Sequence, residues 1–242
     1  MLKMRDAYIM KAETVSDSAT VTKDIKITEP ISQIIVTYEA TNGATSCQQH
    51  LIRDDVSKIE IVDGADVLFS VNAMEAVALN CFETGKFPPA TITEAAGATQ
   101  AETYLINFGR YVGDPEFYLD PANFTNLQLR LTHALTIDAS AGFATGTGAV
   151  TAIARVFAEK PPSQRGFLMS KSLASWTSAA SGDKEVDLPV DYPYRMLLVR
   201  GYEHGTAMDS NLTNLKISCD TDRFIPVDIA MDDLARLNEA LF

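Results

Sequence analysis

The chain has little of what covalent or metal chemistry needs. Cys47, Cys81 and Cys219 stand alone in 242 residues, with no Cys-x-x-Cys pair and no even framework. That excludes a disulfide-built secreted scaffold and points to a reducing compartment. The three histidines, His50, His133 and His204, share no strand at ligand spacing, and no His-x-His pair with a glutamate a few residues on is present, so a metal centre has no ligand set to draw on. Trp176 is the only tryptophan, too few for an aromatic platform that stacks sugars or bases. No run of about 18 apolar residues occurs. No apolar stretch follows Lys3 and Arg5, so the N-terminus does not read as a signal peptide. Lys and Arg total 20 against 32 Asp and Glu, for a net charge of −12 without a basic cluster. Non-specific grip on nucleic acid depends on neutralising phosphates and is excluded by that balance. Ser16-Asp17-Ser18 and the serine-rich stretch 172–181 lack a Gly-x-Ser-x-Gly elbow. Gly142 to Gly148 lacks the lysine and following helix of a phosphate loop.

What is there is core and period. Hydrophobic residues make up 46% and charged residues 21%, a balance that supports a packed interior. Leu127, Leu129, Leu131, His133, Leu135 and Ile137 alternate with Gln128, Arg130, Thr132, Ala134 and Thr136, the period of a strand with one buried face. Further strands are expected at Ile34 to Tyr38, Ile59 to Ile61, Val67 to Val71, Tyr104 to Phe108, Val150 to Phe157, Met196 to Tyr202 and Leu215 to Ile217. Asn42-Gly43 and Asp63-Gly64 read as turns between such runs, and Asp114-Pro115 and Asp120-Pro121 as punctuation. Two short helices are predicted. Asn72 and Glu75 form a capping box opening Ala73 to Phe82, and Met231 to Leu241 places Leu234, Leu237 and Leu241 on one face.

The second half begins to repeat the first about 160 residues later. Arg5 to Met10 returns as Arg165 to Met169, and Lys23-Asp-Ile25-Lys-Ile27 as Lys184-Glu-Val186-Asp-Leu188. The stretch Ile34 to Glu39 after Pro30 returns as Leu197 to Glu203 after Pro193. Ile59-Glu-Ile61 matches Leu215-Lys-Ile217, and Leu79-Asn80 matches Leu237-Asn238. Collinear matches read as two copies of one domain, joined at Lys160-Pro161-Pro162-Ser163-Gln164. Residues 83–160 have no counterpart, so the chain is expected to be part of a protein of roughly 320 residues. Many short strands, few helices and about 160 residues per copy predict an all-β fold of tandem jelly-roll sandwiches. The first spans residues 1–160. The second, residues 161–242, holds only its N-terminal part.

No constellation carries chemistry. His133 lies on the apolar face of its strand and reads as a core histidine. Glu39 and Glu203 occupy matching positions after a tyrosine, which repetition alone explains; with Asp66 they are the residues an enzyme reading would have to use. Asp63-Gly-Ala-Asp66 and Asp220-Thr-Asp222 lack the full calcium-loop pattern and read as turns. The tripeptides at Asn123 and Asn211 match a glycosylation acceptor without a secretory signal to expose them. No catalytic, cofactor-binding or metal-binding residue is assigned.

One resemblance gathers the turn and core residues together. Arg5-Asp-x-Tyr8, Pro30, Thr41-Asn42-Gly43, Asp55 to Ile61, Asp63-Gly64-x-x-Val67-Leu68-Phe69-Ser70, Glu75-Ala76 and Ala78-Leu79-Asn80 resemble the first barrel of double jelly-roll major capsid proteins. So do Phe108-Gly109-Arg110, Asp114-Pro115, Leu119-Asp120, Asn123-Phe124 and Gln128-Leu129. These are shell proteins of tailless icosahedral viruses with an internal membrane, in the lineage that includes adenovirus. The resemblance implies two upright barrels per chain and a trimer of nearly hexagonal outline that tiles a virion assembled in the host cytoplasm. It also implies no catalytic site and no cofactor. The implied partners are the chain itself, neighbouring capsomers, other capsid proteins and, indirectly, the inner membrane, with no direct hold on the genome. The competing expectations are a tandem jelly-roll carbohydrate-binding or adhesion module, and a jelly-roll hydrolase or lyase.

Overall fold

The computed structural model describes residues 3–48, 50–177, 182–202 and 211–241. They fall into two compact units, Met1–Val186 and Asp187–Phe242.

The first unit contains β1 (Met4–Thr14), β2 (Ser18–Asp24), β3 (Ile31–Thr41), β4 (Val56–Asp63), β5 (Asp66–Val71), helix α1 (Ala73–Thr84), the two-residue β6 (Ala90–Thr91), β7 (Thr99–Asn107), β8 (Leu127–Ala134) and β9 (Ala149–Phe157). The strands form two sheets, in the orders β1-β9-β3-β7-β6 and β2-β8-β4-β5. All their pairings are antiparallel. The pairs β1·β9, β2·β8, β3·β7 and β4·β5 are those of one long hairpin folded at Gly64-Ala65. The pairs β3·β9 and β4·β8 arise when that hairpin is wound on itself. This winding is the eight-stranded jelly roll, two Greek keys closed into a sandwich.

Alternation puts the core between the sheets. Ile34, Val36, Tyr38 and Ala40 of β3, with Val150, Ala152, Ala154 and Val156 of β9, face Ile59 and Ile61 of β4 and Leu127, Leu129 and Leu131 of β8, all buried. The Asp63-Gly64 turn forms as expected, with Asp63 paired to Asp66 and Gly64 at φ +60°, where a residue without Cβ carries no steric penalty. Asn42-Gly43 forms no hairpin turn. Asn42 is buried, and its side-chain amide donates to the carbonyls of Thr93 and Ala95 at 2.8 and 2.9 Å. A Cβ on Gly43 would meet the Asp138 carbonyl oxygen at 2.3 Å; the glycine is there for close approach of two loops.

Helix α1 starts where the capping box places it. The Asn72 side chain accepts from the Glu75 N–H and the Glu75 carboxylate accepts from the Asn72 N–H, both at 2.8 Å. Gly85, at φ +69°, closes it by donating to the Cys81 carbonyl, a left-handed cap.

The second unit, taken by itself, is a hairpin of β10 (Asn214–Cys219) and β11 (Phe224–Ala230), followed directly by helix α2 (Met231–Leu241). The order hairpin-then-helix is that of β4, β5 and α1, and the matched residues hold matched places: Ile59 pairs with Val71, Leu215 with Ile229. The strand expected at Met196 to Tyr202 does not form. Residues 196–202 pair with no strand among the described residues, and Leu197, Leu198 and Val199 are exposed. Apolar composition favours a strand only where a neighbour supplies the ladder. The first compact unit runs on to Val186, so the described residues of 161–186, which the repeat assigns to the second copy, group with the first.

Candidate functional site

Of the residues an enzyme reading would need, Glu39 and Asp66 belong to different sheets. Glu39 sits half-buried near the C-terminal end of β3 on its outer side, opposite Ala149 and Ala101. Asp66 is exposed at the β4–β5 turn. Glu203 and His204 lie outside the described residues. Among the described residues, no group of three His, Cys, Asp or Glu is placed to hold a metal ion. Asp63 binds backbone instead: its carboxylate accepts from the N–H groups of Thr125 and Asn126, tying two loops at one end of the barrel. Asp220, Thr221 and Asp222 occupy left-handed backbone in the β10–β11 turn, and Asp222 pairs with Lys216 at 2.8 Å.

His133 is a core histidine, 1% exposed. Its Nδ1 lies 2.9 Å from the Tyr38 hydroxyl, and burial pulls its pKa below the usual value, which holds the ring neutral. Around it the interior of one barrel end is polar. His50 Nε2 meets the buried Asp55 carboxylate at 3.0 Å, and the same carboxylate accepts from the Thr136 hydroxyl at 2.9 Å. Arg53 on the turn before β4 reaches Glu102 inside β7 at 3.0 Å. The first bond braces the β3–β4 connection internally, and the others tie it to strand β7 and to the segment after β8, so the network works as a plug for the end of the sandwich.

The most extensively built feature lies at the other end. The stretch expected to be a linker, Lys160 to Gln164, is instead bound down. Lys160 pairs with the buried Asp120, the buried Tyr118 hydroxyl donates to the Pro161 carbonyl at 2.9 Å, and the Gln164 side chain donates to the Tyr118 carbonyl at 3.2 Å. Arg165 donates its backbone N–H to the Glu116 carbonyl at 2.7 Å, and its guanidinium lies 3.4 Å from the Glu116 carboxylate. Glu116 also pairs with Arg110, which grips Asp114 through two nitrogens at 2.7 and 3.0 Å. Asp114 is fully buried, and the Arg110 guanidinium holds its pKa down at about 2. Phe167 stands edge-on between Phe108 and Phe124, at centroid distances of 6.3 and 5.9 Å. The strap then runs parallel to β5: the Ser70 N–H donates to the Ser170 carbonyl, and the Ser172 N–H donates to the Ser70 carbonyl, at 2.9 and 2.7 Å. It thereby covers a sheet edge that would otherwise present free ladder groups.

Sequence reasoning missed the strap because its ties sit in the loop between β7 and β8. The signal was the apolar trio Phe167-Leu168-Met169, separated from Pro161-Pro162 by four residues. This arrangement holds the strap in position.

The first unit is thus a jelly roll with a fastened C-terminal strap. No protein-family model and no curated protein sequence matches the chain. Among solved structures it is similar to viral major capsid proteins. With the STIV MCP the TM-score is 0.49 at 11% identity, over 64% of this chain and 48% of that one. With the major capsid protein P2 of bacteriophage PM2 it is 0.43 at 11% identity, over 66% and 52%. With VP54 of PBCV-1 it is 0.44 at 14% identity, over 64% and 42%. The chain spans about half the length of the solved structures it matches.

Proposed function

We propose that the chain is a structural subunit of an icosahedral virion, a major capsid protein whose jelly roll and repeated hairpin and helix belong to a pseudo-hexagonal trimer. The observation that carries this reading is the repeated order of hairpin and helix, β4-β5-α1 and β10-β11-α2, at the spacing of the sequence repeat. Residues 187–242 open a second barrel in this reading. Its hairpin leaves ladder groups and apolar side chains such as Phe224 and Ile225 exposed, and a two-stranded hairpin needs further strands to be stable. Barrel duplication is what the resemblance to double jelly-roll capsid proteins implies. The partners are further copies of the chain, neighbouring capsomers and other capsid proteins, with the inner membrane at one remove. The protein acts in the virion, after assembly in the host cytoplasm, and catalyses nothing. The net charge of −12 keeps the subunit off the genome.

Electron microscopy of the purified protein at micromolar concentration tests the reading. Trimeric particles with six density lobes are the expected result. A monodisperse monomer would overturn it, because an obligate capsomer buries well over 2,000 Å² in total.

A further inference from the structure

The two sheets of the barrel turn different outer faces to their surroundings. Over β2, β8 and the first half of β4 the outer face is polar and internally bonded. Thr20 meets Thr132 at 3.0 Å, Gln128 donates to Asp24 at 2.9 Å, and Lys58 pairs with Glu60 at 2.8 Å. Such a face satisfies its own polar groups beside water.

The outer face of the other sheet is built differently. Register places Tyr8, Ile153, Ile35 and Leu105 side by side across β1, β9, β3 and β7. Their inward neighbours Ile34, Ala154 and Ile106 are fully buried, so this row points outward. Tyr8 is 58% exposed. On one side a threonine row, Thr151, Thr37 and Thr103, adds small uncharged side chains. On the other, Arg155 and Asp6 neutralise each other at 2.9 Å, and Gln33 donates to Asn107 at 2.7 Å. An apolar centre within a polar rim is the anatomy of a protein interface.

We infer that this face, centred on Ile35 and Ile153, is the contact through which a second copy of this chain docks. Charge selects that occupant. Copies carrying −12 each repel one another over most of their surface. On this face the charges are the mutually paired Asp6 and Arg155, Lys11 over the Tyr8 ring at 5.5 Å, and Glu39, two of each sign, so two acidic chains meet here at least electrostatic cost. Size agrees: four strands of about nine residues cover about 19 by 30 Å, close to 600 Å² per copy, which clears the roughly 1,000 Å² total that a specific interface needs.

The inference deepens the shell-subunit reading and rests on it. The test is sedimentation equilibrium of the full chain with three variants: Ile153→Glu, the milder Thr37→Lys on the same face, and Thr22→Lys on the opposite sheet. The expected result is an oligomeric parent and Thr22→Lys variant, with at least a tenfold weaker association for Ile153→Glu and Thr37→Lys at unchanged thermal unfolding. An oligomer indifferent to both face variants overturns the docking face and leaves the shell reading standing. A monomeric parent at 100 μM overturns both. Should Ile153→Glu fail to fold, Thr37→Lys alone decides.

Discussion

Phe167→Ala isolates the strap's apolar anchor without touching either sheet. The ring is partly buried between Phe108 and Phe124. Two edge-on aromatic contacts contribute about 0.5–1.5 kcal/mol each beyond area burial. A fully buried Phe→Ala change costs about 3–5 kcal/mol, and partial burial brings the expected loss to about 2–3 kcal/mol. For a unit of this size each kcal/mol moves Tm by about 2–4 °C, so calorimetry should show the first unit melting about 5–10 °C lower. Hydrogen exchange gives the spatial half of the result. The N–H groups of Tyr118, Leu168, Ser70 and Ser172 are bonded to or from the strap, so all four should exchange faster in the variant, while the N–H groups of β3 and β9 in the middle of their sheet keep their protection. Leu173→Ala, at a 44% exposed side chain just past the strap, should change neither readout. A Tm shift below 1 °C with unaltered exchange at Ser70 and Ser172 would show that the strap merely rests on the barrel.

Asp114→Asn should remove an acid-sensitive component of stability. The native pKa of about 2 lies below the ordinary 3.8, so the contribution is complete above pH 4 and fades as pH falls from 4 toward 2. The variant should lose about 1–2 kcal/mol at pH 7 and less at pH 2, as read by urea unfolding at both values. Gly142→Ala should cost about 2–4 kcal/mol in the same assay, because the added Cβ would fall 2.1 Å from the Thr136 carbonyl oxygen and the backbone must shift. Gly97→Ala, which meets nothing within 4 Å at φ +65°, should cost only about 1 kcal/mol of left-handed strain.

The central strands were legible wherever one side chain in two is buried. Leu127 to His133 announced β8, the stretches predicted at Ile34, Ile59, Val67 and Val150 lie inside β3, β4, β5 and β9, and the one at Tyr104 overlaps β7. Both helices were legible from Asn72 and Glu75 and from the leucines after Met231. The pairing order was not, because the same alternation serves any neighbour; only the register shows that β1 lies beside β9. Strand β1 escaped notice as a strand because its register slips between Tyr8 and Met10 and again before Glu13, with Ala12 at φ +45°. Those bulges break the period that makes a strand visible. Strand β11 hid behind Pro226 and a nearly continuous apolar run. At Met196 to Tyr202 the failure went the other way, since composition spoke for a strand and no partner stands beside it among the described residues. The plug at the barrel end was half visible. His133 declared itself by its strand, whereas His50, Asp55 and Arg53 meet their partners only after the loops have folded together.

The long-hairpin path has a mechanical consequence. Met4, at the start of β1, lies opposite Phe157, at the end of β9, so tension applied at the two ends of the barrel would peel the β1·β9 ladder one rung at a time. Peeling loads bonds singly, whereas shear loads them together, and this line is therefore the barrel's weakest. The strap reroutes the load. A pull arriving from beyond residue 172 must first break the Ser70 bonds, extract Phe167 and part Arg165 from Glu116 before any force reaches Phe157. The segment that covers an edge at rest thus acts as strain relief under tension.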